Sequence, residues 1–166
     1  MPYFNIVAET SENTVVTEYE PVKKRSDSYQ SEAALEQEFI RLLCEQGYEY
    51  LPIHREKDLT ANLRKKLEEL NNYQFSDTEW DDFFKNAVAN PNEHIVEKTR
   101  KIQEDNVQVL TRDDGSSKNI TLIDKKNIHN NRLQVINQYV IGTENGAKHD
   151  NRYDVTVLVN GLPLVH

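Results

Sequence analysis

Residues 151–165 read Asn151-Arg152-Tyr153-Asp154-Val155-Thr156-Val157-Leu158-Val159-Asn160-Gly161-Leu162-Pro163-Leu164-Val165. The run from Tyr153 to Val159 is rich in β-branched and apolar residues, which pack well on a pleated surface. Asn160-Gly161 is a favoured two-residue hairpin turn, because both residue types accept positive φ. The stretch therefore predicts a strand over 153–159 folding back into a second strand at Leu162. Asp154 is the misfit, since aspartate is depleted in strands. Two readings stay open: a strand end at solvent, or a carboxylate at a sheet edge that binds a hard cation. Side chains alternate along a strand, so Asp154, Thr156 and Leu158 share a face.

Outward from this hairpin, the hydrophobic period is two as far back as Asn106. Leu133 to Ile141 predicts another strand. Val107 to Arg112 and Ile120 to Ile123 flank Asp113-Asp114-Gly115-Ser116, a turn sequence. The turn accounts for both aspartates, with a metal pair as the competing reading. Before Asn106 the period is helical. Ser31 is a candidate N-cap, and Glu32 suits the positive end of a helix dipole. Leu35, Phe39, Leu42 and Leu43 form an apolar stripe expected to be buried, with Cys44 as a small hydrophobe beside it and Gly47 as the C-terminal cap. Residues 48–53 read as a short extended piece. A second helix is expected over about 58–70, burying Leu59, Leu63, Leu67 and Leu70. A third begins at the capping box Ser76-Asp77-Thr78-Glu79 and buries Trp80, Phe83, Phe84, Ala87 and Val88. Asn90-Pro91 predicts the start of a fourth helix through about Gln103.

Residues 3–22 suggest a short hairpin, and Lys23-Lys24-Arg25-Ser26-Asp27-Ser28 a polar loop or a phosphate contact. The order of helices followed by mostly antiparallel strands predicts a mixed α+β fold, with N-terminal helices on a small mixed sheet. The expected organisation is an extended segment over 1–30 and a domain over 31–166, helical to about 105 and sheet-forming from 107.

The chain has 166 residues with a net charge of −8 and 37% hydrophobic residues. No apolar run approaches the roughly 20 residues that span a bilayer. A single cysteine excludes an internal disulfide framework and suggests a reducing, cytoplasmic setting. The five histidines lack metal-ligand spacing, and no glycine-rich phosphate loop or nucleophile elbow is present. The charge is uneven. Residues 1–106 hold 22 acidic and 13 basic residues, and residues 107–166 hold 6 and 7. A near-neutral second part can still meet a phosphate backbone.

Asn130-Asn131-Arg132-Leu133-Gln134-Val135-Ile136-Asn137-Gln138, followed by the 151–165 stretch, resembles the R (restriction, HsdR) subunit of type I restriction enzymes. Ser31-Glu32-Ala33-Ala34-Leu35-Glu36 leading to Gly47-Tyr48, and Val109 to Gly115, resemble the same family. The likeness covers most of 31–166, and its most specific part runs from Arg152 to Val165. It implies a nuclease core of the PD-(D/E)XK type, in which an aspartate and a Glu-x-Lys on the next strand assemble a Mg²⁺ site for cutting double-stranded DNA. Asp154 matches that aspartate as catalytic residue and metal ligand, and Glu32 or Glu36 could add an acid from the first helix. The resemblance also implies ATP-driven motor domains elsewhere in the protein, and the methylation and specificity subunits as partners. The Glu-x-Lys would begin about two residues past His166, so this chain is expected to be a fragment, inactive alone.

The family glutamate would have even parity on the returning strand. A flush two-residue turn pairs Val155 with His166 and so gives Asp154 odd-numbered neighbours. A bulge or a three-residue turn is therefore expected, with Pro163 marking the irregularity. The alternative function is a non-enzymatic module with a nuclease-like fold that docks on protein or binds DNA.

Overall fold

A computed structural model describes residues 3–9, 15–20, 31–141 and 151–166. The basic triplet 23–25 lies outside these residues. The chain divides into two compact units, residues 1–32 and 33–166. In the first, β1 (Tyr3–Glu9) and β2 (Val15–Glu20) form an antiparallel hairpin, with a register shift between Ile6 and Ala8.

The second unit carries helices α1 (Glu32–Glu45, whose first residue falls in the first unit), α2 (Glu56–Asn71), α3 (Asp77–Phe83) and α4 (Ile95–Gln103). Its strands are β3 (Glu49–Tyr50), β4 (Val107–Thr111), β5 (Ser117–Thr121), β6 (Leu133–Ile141), β7 (Asn151–Val159) and β8 (Leu162–Val165). The fold is mixed α+β. One four-stranded sheet has the order β3-β6-β7-β8, with β3 parallel to β6 and the other pairs antiparallel. The hairpin β4–β5 is a separate two-stranded sheet and does not join the other strands.

Helix α2 is the wall between two cores. Leu63 and Leu67 face Phe75, Trp80, Phe83, Leu110, Ile120, Leu122 and Leu162, while Leu59 packs with Ile53, Ile136 and Leu158 on the sheet. Full burial of each such leucine contributes about 1.5–3 kcal/mol. The capping box forms as its sequence requires: Ser76 Oγ accepts from the Glu79 N–H, and Glu79 accepts from the Ser76 N–H. The helix then widens into a π-helical turn over Phe84–Val88.

Three expectations are corrected. The fourth helix starts at Ile95, not Asn90. The Asn90 side chain accepts from the Asn92 N–H and closes a turn, and His94 with Glu97 caps the helix instead. The apolar stripe of α1 is largely exposed: Leu35 is 54%, Phe39 49% and Leu42 42% accessible. The helix is rotated so that Glu36, Ile40 and Leu43 face the protein, because a polar network draws Glu36 inward. Cys44, beside that stripe, is likewise exposed.

Two buried polar residues tie the layers together. Gln134 exchanges amide hydrogen bonds with Asn62 of α2, at 3.0 and 3.3 Å. Asn160 accepts from the Arg132 N–H at 2.8 Å and donates to the Leu122 carbonyl at 3.0 Å and to Asn131 Oδ1 at 2.8 Å. It thereby anchors the β7–β8 turn to the loop after β5.

Candidate functional site

Asp154 lies near the start of β7, on the parity of Thr156 and Leu158. Those two are 1% and 0% accessible, whereas Asp154 is exposed. The full burial of the strand therefore stops short of the aspartate. β7 is an inner strand, but its pairing with β8 extends only from Val159 back to Val157, so at Asp154 its ladder neighbour is β6.

The β7–β8 turn is the two-residue type, pairing Val159 with Leu162, with φ of 52° at Asn160 and 83° at Gly161. A three-residue turn is thus not used. The one-residue shift comes immediately after, as a bulge. Leu158 pairs with Pro163 but Val157 pairs with Val165, leaving Leu164 as the extra residue. Proline cannot donate to the ladder, so the irregularity falls beside it at little cost. The shift brings His166 to Thr156, where Nδ1 and Oγ1 share a hydrogen bond of 3.0 Å. The imidazole also stacks on Tyr153, with ring centroids 4.2 Å apart. Even-numbered positions of the returning chain therefore meet even-numbered positions of β7, the parity expected from the sequence.

The β6–β7 ladder pairs Asn137 with Val155 and Tyr139 with Tyr153, and Gln138 and Asp154 fall in the interval between these pairs. Gln138 has φ of 53°. A side-chain-bearing residue in that region costs on the order of 1–3 kcal/mol, and such strain clusters at functional sites. The left-handed residue also turns the alternation over, so Tyr139 packs in the same cluster as Ile136 despite its opposite parity. Burial raises the Tyr139 phenol above its ordinary pKa, and the Glu56 carboxylate adds to the shift.

Glu36 joins this region from α1. Its Oε1 accepts from Asn137 Nδ2 at 2.7 Å and its Oε2 from Gln138 Nε2 at 2.6 Å. The Tyr50 hydroxyl on β3 donates to Asn137 Oδ1 at 2.8 Å. Of the two candidate acids in α1, Glu36 thus reaches β6. Glu32 sits in the first turn of α1. The sequence reading missed Asn137, Gln138 and Tyr50. Its one available signal was two adjacent carboxamides inside a largely apolar strand.

Asp154 supplies a hard oxygen donor of the kind Mg²⁺ takes. Among the described residues, no group of three or more His, Cys, Asp or Glu side chains is arranged to hold a metal. The residues described thus do not complete a Mg²⁺ site. Of the two turn aspartates, Asp114 is occupied structurally, its Oδ1 accepting from the Ser116 N–H and hydroxyl, while the Asp113 backbone N–H donates to Glu79. A cleft of about 780 Å³ opens elsewhere, between Glu49, Lys66, His129, Arg132, Leu133 and Val159. It lies about 17 Å along β7 from Asp154 at roughly 3.3 Å per residue. Lys66 within it is held by Glu69 at 3.1 Å and Glu49 at 4.0 Å.

A mixed α+β domain is the fold expected from the resemblance to the restriction-subunit family. Residues 29–166 match the family described as "Type I restriction enzyme R protein N terminus". The chain belongs to that family. It is 46% identical over 160 residues to the "Type I restriction enzyme EcoprrI endonuclease subunit" of Escherichia coli, covering 96% of this chain and 50% of the relative. The "Type I restriction enzyme SsaAORF53P endonuclease subunit" of Staphylococcus saprophyticus is 35% identical over 142 residues, 82% of this chain and 14% of its own length. The "SauMSSORF170P endonuclease subunit" of Staphylococcus aureus is 36% identical over 143 residues, 83% and 14% respectively. The chain thus spans about half the length of one relative and about a seventh of the others. No helix among the described residues is long and apolar enough to cross a membrane.

Proposed function

We propose that this chain forms the N-terminal part of the nuclease domain of a type I restriction endonuclease subunit, with Asp154 as a catalytic carboxylate that would bind Mg²⁺. The bulge at Leu164 carries this reading. Continued through Thr156 and His166, the shifted register sets the position two residues past His166 across from Asp154. In a longer chain, an acid there would share the aspartate's face, and a lysine two further on would share it as well. Bound Mg²⁺ supplies polarisation of the phosphodiester and a more acidic water. The substrate is double-stranded DNA. ATP belongs to motor domains and DNA sequence choice to the specificity subunit, with the methylation subunit as the third partner and the cytoplasm as the setting. Glu36 fits a supporting role, since both its oxygens already accept carboxamide hydrogen bonds.

The test is DNA cleavage by the full-length subunit assembled with its partners. Asp154→Asn is expected to abolish cleavage while leaving ATP hydrolysis intact, and residues 1–166 alone should not nick plasmid with Mg²⁺. Full cleavage by the Asp154→Asn enzyme would favour the alternative, a non-enzymatic protein-docking or DNA-binding module.

A further inference from the structure

We infer, independently of the nuclease reading, that the outer edge of β4 docks an extended basic segment of another protein chain, which joins the β4–β5 sheet as a third strand. The Leu122 N–H donates to the Asn106 carbonyl and the Arg112 N–H to the Ser116 carbonyl, each at 2.8 Å. Both pairs continue the β4–β5 register, in which Gln108 faces Ile120 and Leu110 faces Lys118. Hydrogen-bonded pairs alternate along an antiparallel ladder, so the even-numbered residues of β4 bond to β5 and the odd-numbered ones point away from it. The outward N–H and C=O groups of Val107, Val109 and Thr111 have no partner among the described residues, and all three residues are exposed.

The opposite edge of the hairpin is closed. The Asn71 side chain of α2 accepts from the Thr121 N–H at 2.7 Å and donates to the Thr121 carbonyl at 2.9 Å, as a neighbouring strand would. β4 has no such cover. Its sequence, Val-Gln-Val-Leu-Thr, contains no charge or proline and its ladder no bulge, the devices that keep an edge from pairing. An unguarded edge of this kind is what peptide addition to a sheet uses.

The groove beside that edge sets the chemistry of the occupant. About 380 Å³ lies between β4 and the helical side, where Phe83 and Ala87 supply an apolar seat for alternate side chains of an added strand. Ala87 belongs to the π-helical turn, a feature that recurs at functional sites. Asp82 and Asp113 line the same groove, and neither carboxylate has a partner among the described residues. Glu79 is already saturated by Tyr73, Ser76 and Asp113 N–H, and Arg112 is held over the Tyr73 ring and 3.7 Å from Asp114. The charge left over is therefore negative and selects lysine or arginine in the incoming segment. A second copy of this chain does not fit, because its own β4 carries no basic residue to meet these acids.

Residue-resolved amide exchange of the full chain, followed by NMR, reads the alternation directly. The Gln108 and Leu110 amides, bonded to β5, exchange slowly and report in every sample that the hairpin is folded. The probe is the N-acetylated, C-amidated peptide Lys-Val-Lys-Val-Lys, with Glu-Val-Glu-Val-Glu as its charge reversal. At about 1 mM, the basic peptide is expected to slow exchange at Val107, Val109 and Thr111 by about threefold or more, the slowing reached when free peptide is about twice its Kd. Gln108 and Leu110 should not change, and the acidic peptide should protect none of the five further. Asp82→Lys combined with Asp113→Lys should reverse the preference between the peptides. Val109→Pro removes an outward donor without breaking a bond to β5, and should abolish the protection while Leu110 stays slow. Unprotected odd-numbered amides, an equal response to both peptides, or an unchanged response in Val109→Pro would overturn the inference. Odd-numbered amides that are slow in the protein alone and speed up on dilution would overturn it too, by making a second copy the occupant.

Discussion

Gly161 rests directly against the backbone of Leu63: a Cβ built on the glycine would lie 2.6 Å from the Leu63 Cα. The contact lets the β7–β8 turn close onto α2. Gly161 also has φ of 83°, so its substitution meets both a steric and a conformational barrier. Gly161→Ala is expected to cost about 2–5 kcal/mol, from left-handed strain of about 1–2 and overpacking of about 1–3. Gly115→Ala provides the comparison, since no atom lies within 4 Å of the Cβ it would gain and only φ of 79° opposes it. Urea denaturation of both variants checks the difference.

The rotation of α1 yields a contrast between two apolar residues. Leu67 is fully buried, whereas Phe39 is 49% exposed. Leu67→Ala should destabilise by about 2–5 kcal/mol. Phe39→Ser should stay within about 0.5 kcal/mol of the parent. Denaturation midpoints that fell equally for both would mean that the stripe is packed.

Glu79 makes stability acid-sensitive. Its pKa is lowered first by the Tyr73 hydroxyl, which donates at 2.7 Å, and then by the Ser76 and Asp113 N–H groups, with Arg112 adding a smaller attraction. A carboxylate with a depressed folded-state pKa stabilises fully above its unfolded value, roughly 4.3. That contribution is lost as pH falls through the lower folded value. Melting temperatures of Glu79→Gln, taken from about pH 7 to about pH 3, should therefore fall less steeply than those of the parent. The parent and the variant should converge at the acid end apart from the constant effect of the amide.

Asn160 offers the sharpest polar test. Its Nδ2 points at two acceptors, the Leu122 carbonyl and Asn131 Oδ1. Asn160→Asp would set a carboxylate against both inside a site that is 1% accessible. The expected loss is on the order of 3 kcal/mol, since a buried unsatisfied charge costs more than a neutral group. Raising the pH from about 4 to 7 should deepen it as the new acid ionises.

The helices and hairpins were legible because their signals are local. Ser76 and Glu79 make a capping box from four consecutive residues, and Asn160-Gly161 makes its turn from two. The register shift was legible for a different reason, since parity with the family glutamate demanded either a bulge or a three-residue turn. The orientation of α1 was not legible. Leu35, Phe39 and Leu42 outweigh Glu36 by hydrophobicity alone, and the carboxamides that draw Glu36 inward lie about a hundred positions away, at Asn137 and Gln138. The separation of β4–β5 from the larger sheet was hidden likewise, because strand propensity does not say which strand a strand will meet. At the candidate site, one oddly placed aspartate announced itself, while the left-handed Gln138 was marked only by its neighbouring carboxamide, Asn137.

Helix α2 contributes Leu59 to one hydrophobic cluster and Leu63 and Leu67 to the other. Its unfolding thus removes a wall from both. Protection against amide exchange in β5 and in β6–β7 should accordingly be lost at one common free energy, with α2 as the cooperative joint. A destabilised α2 would reach Asp154 without touching it, by releasing the sheet on which the aspartate is displayed.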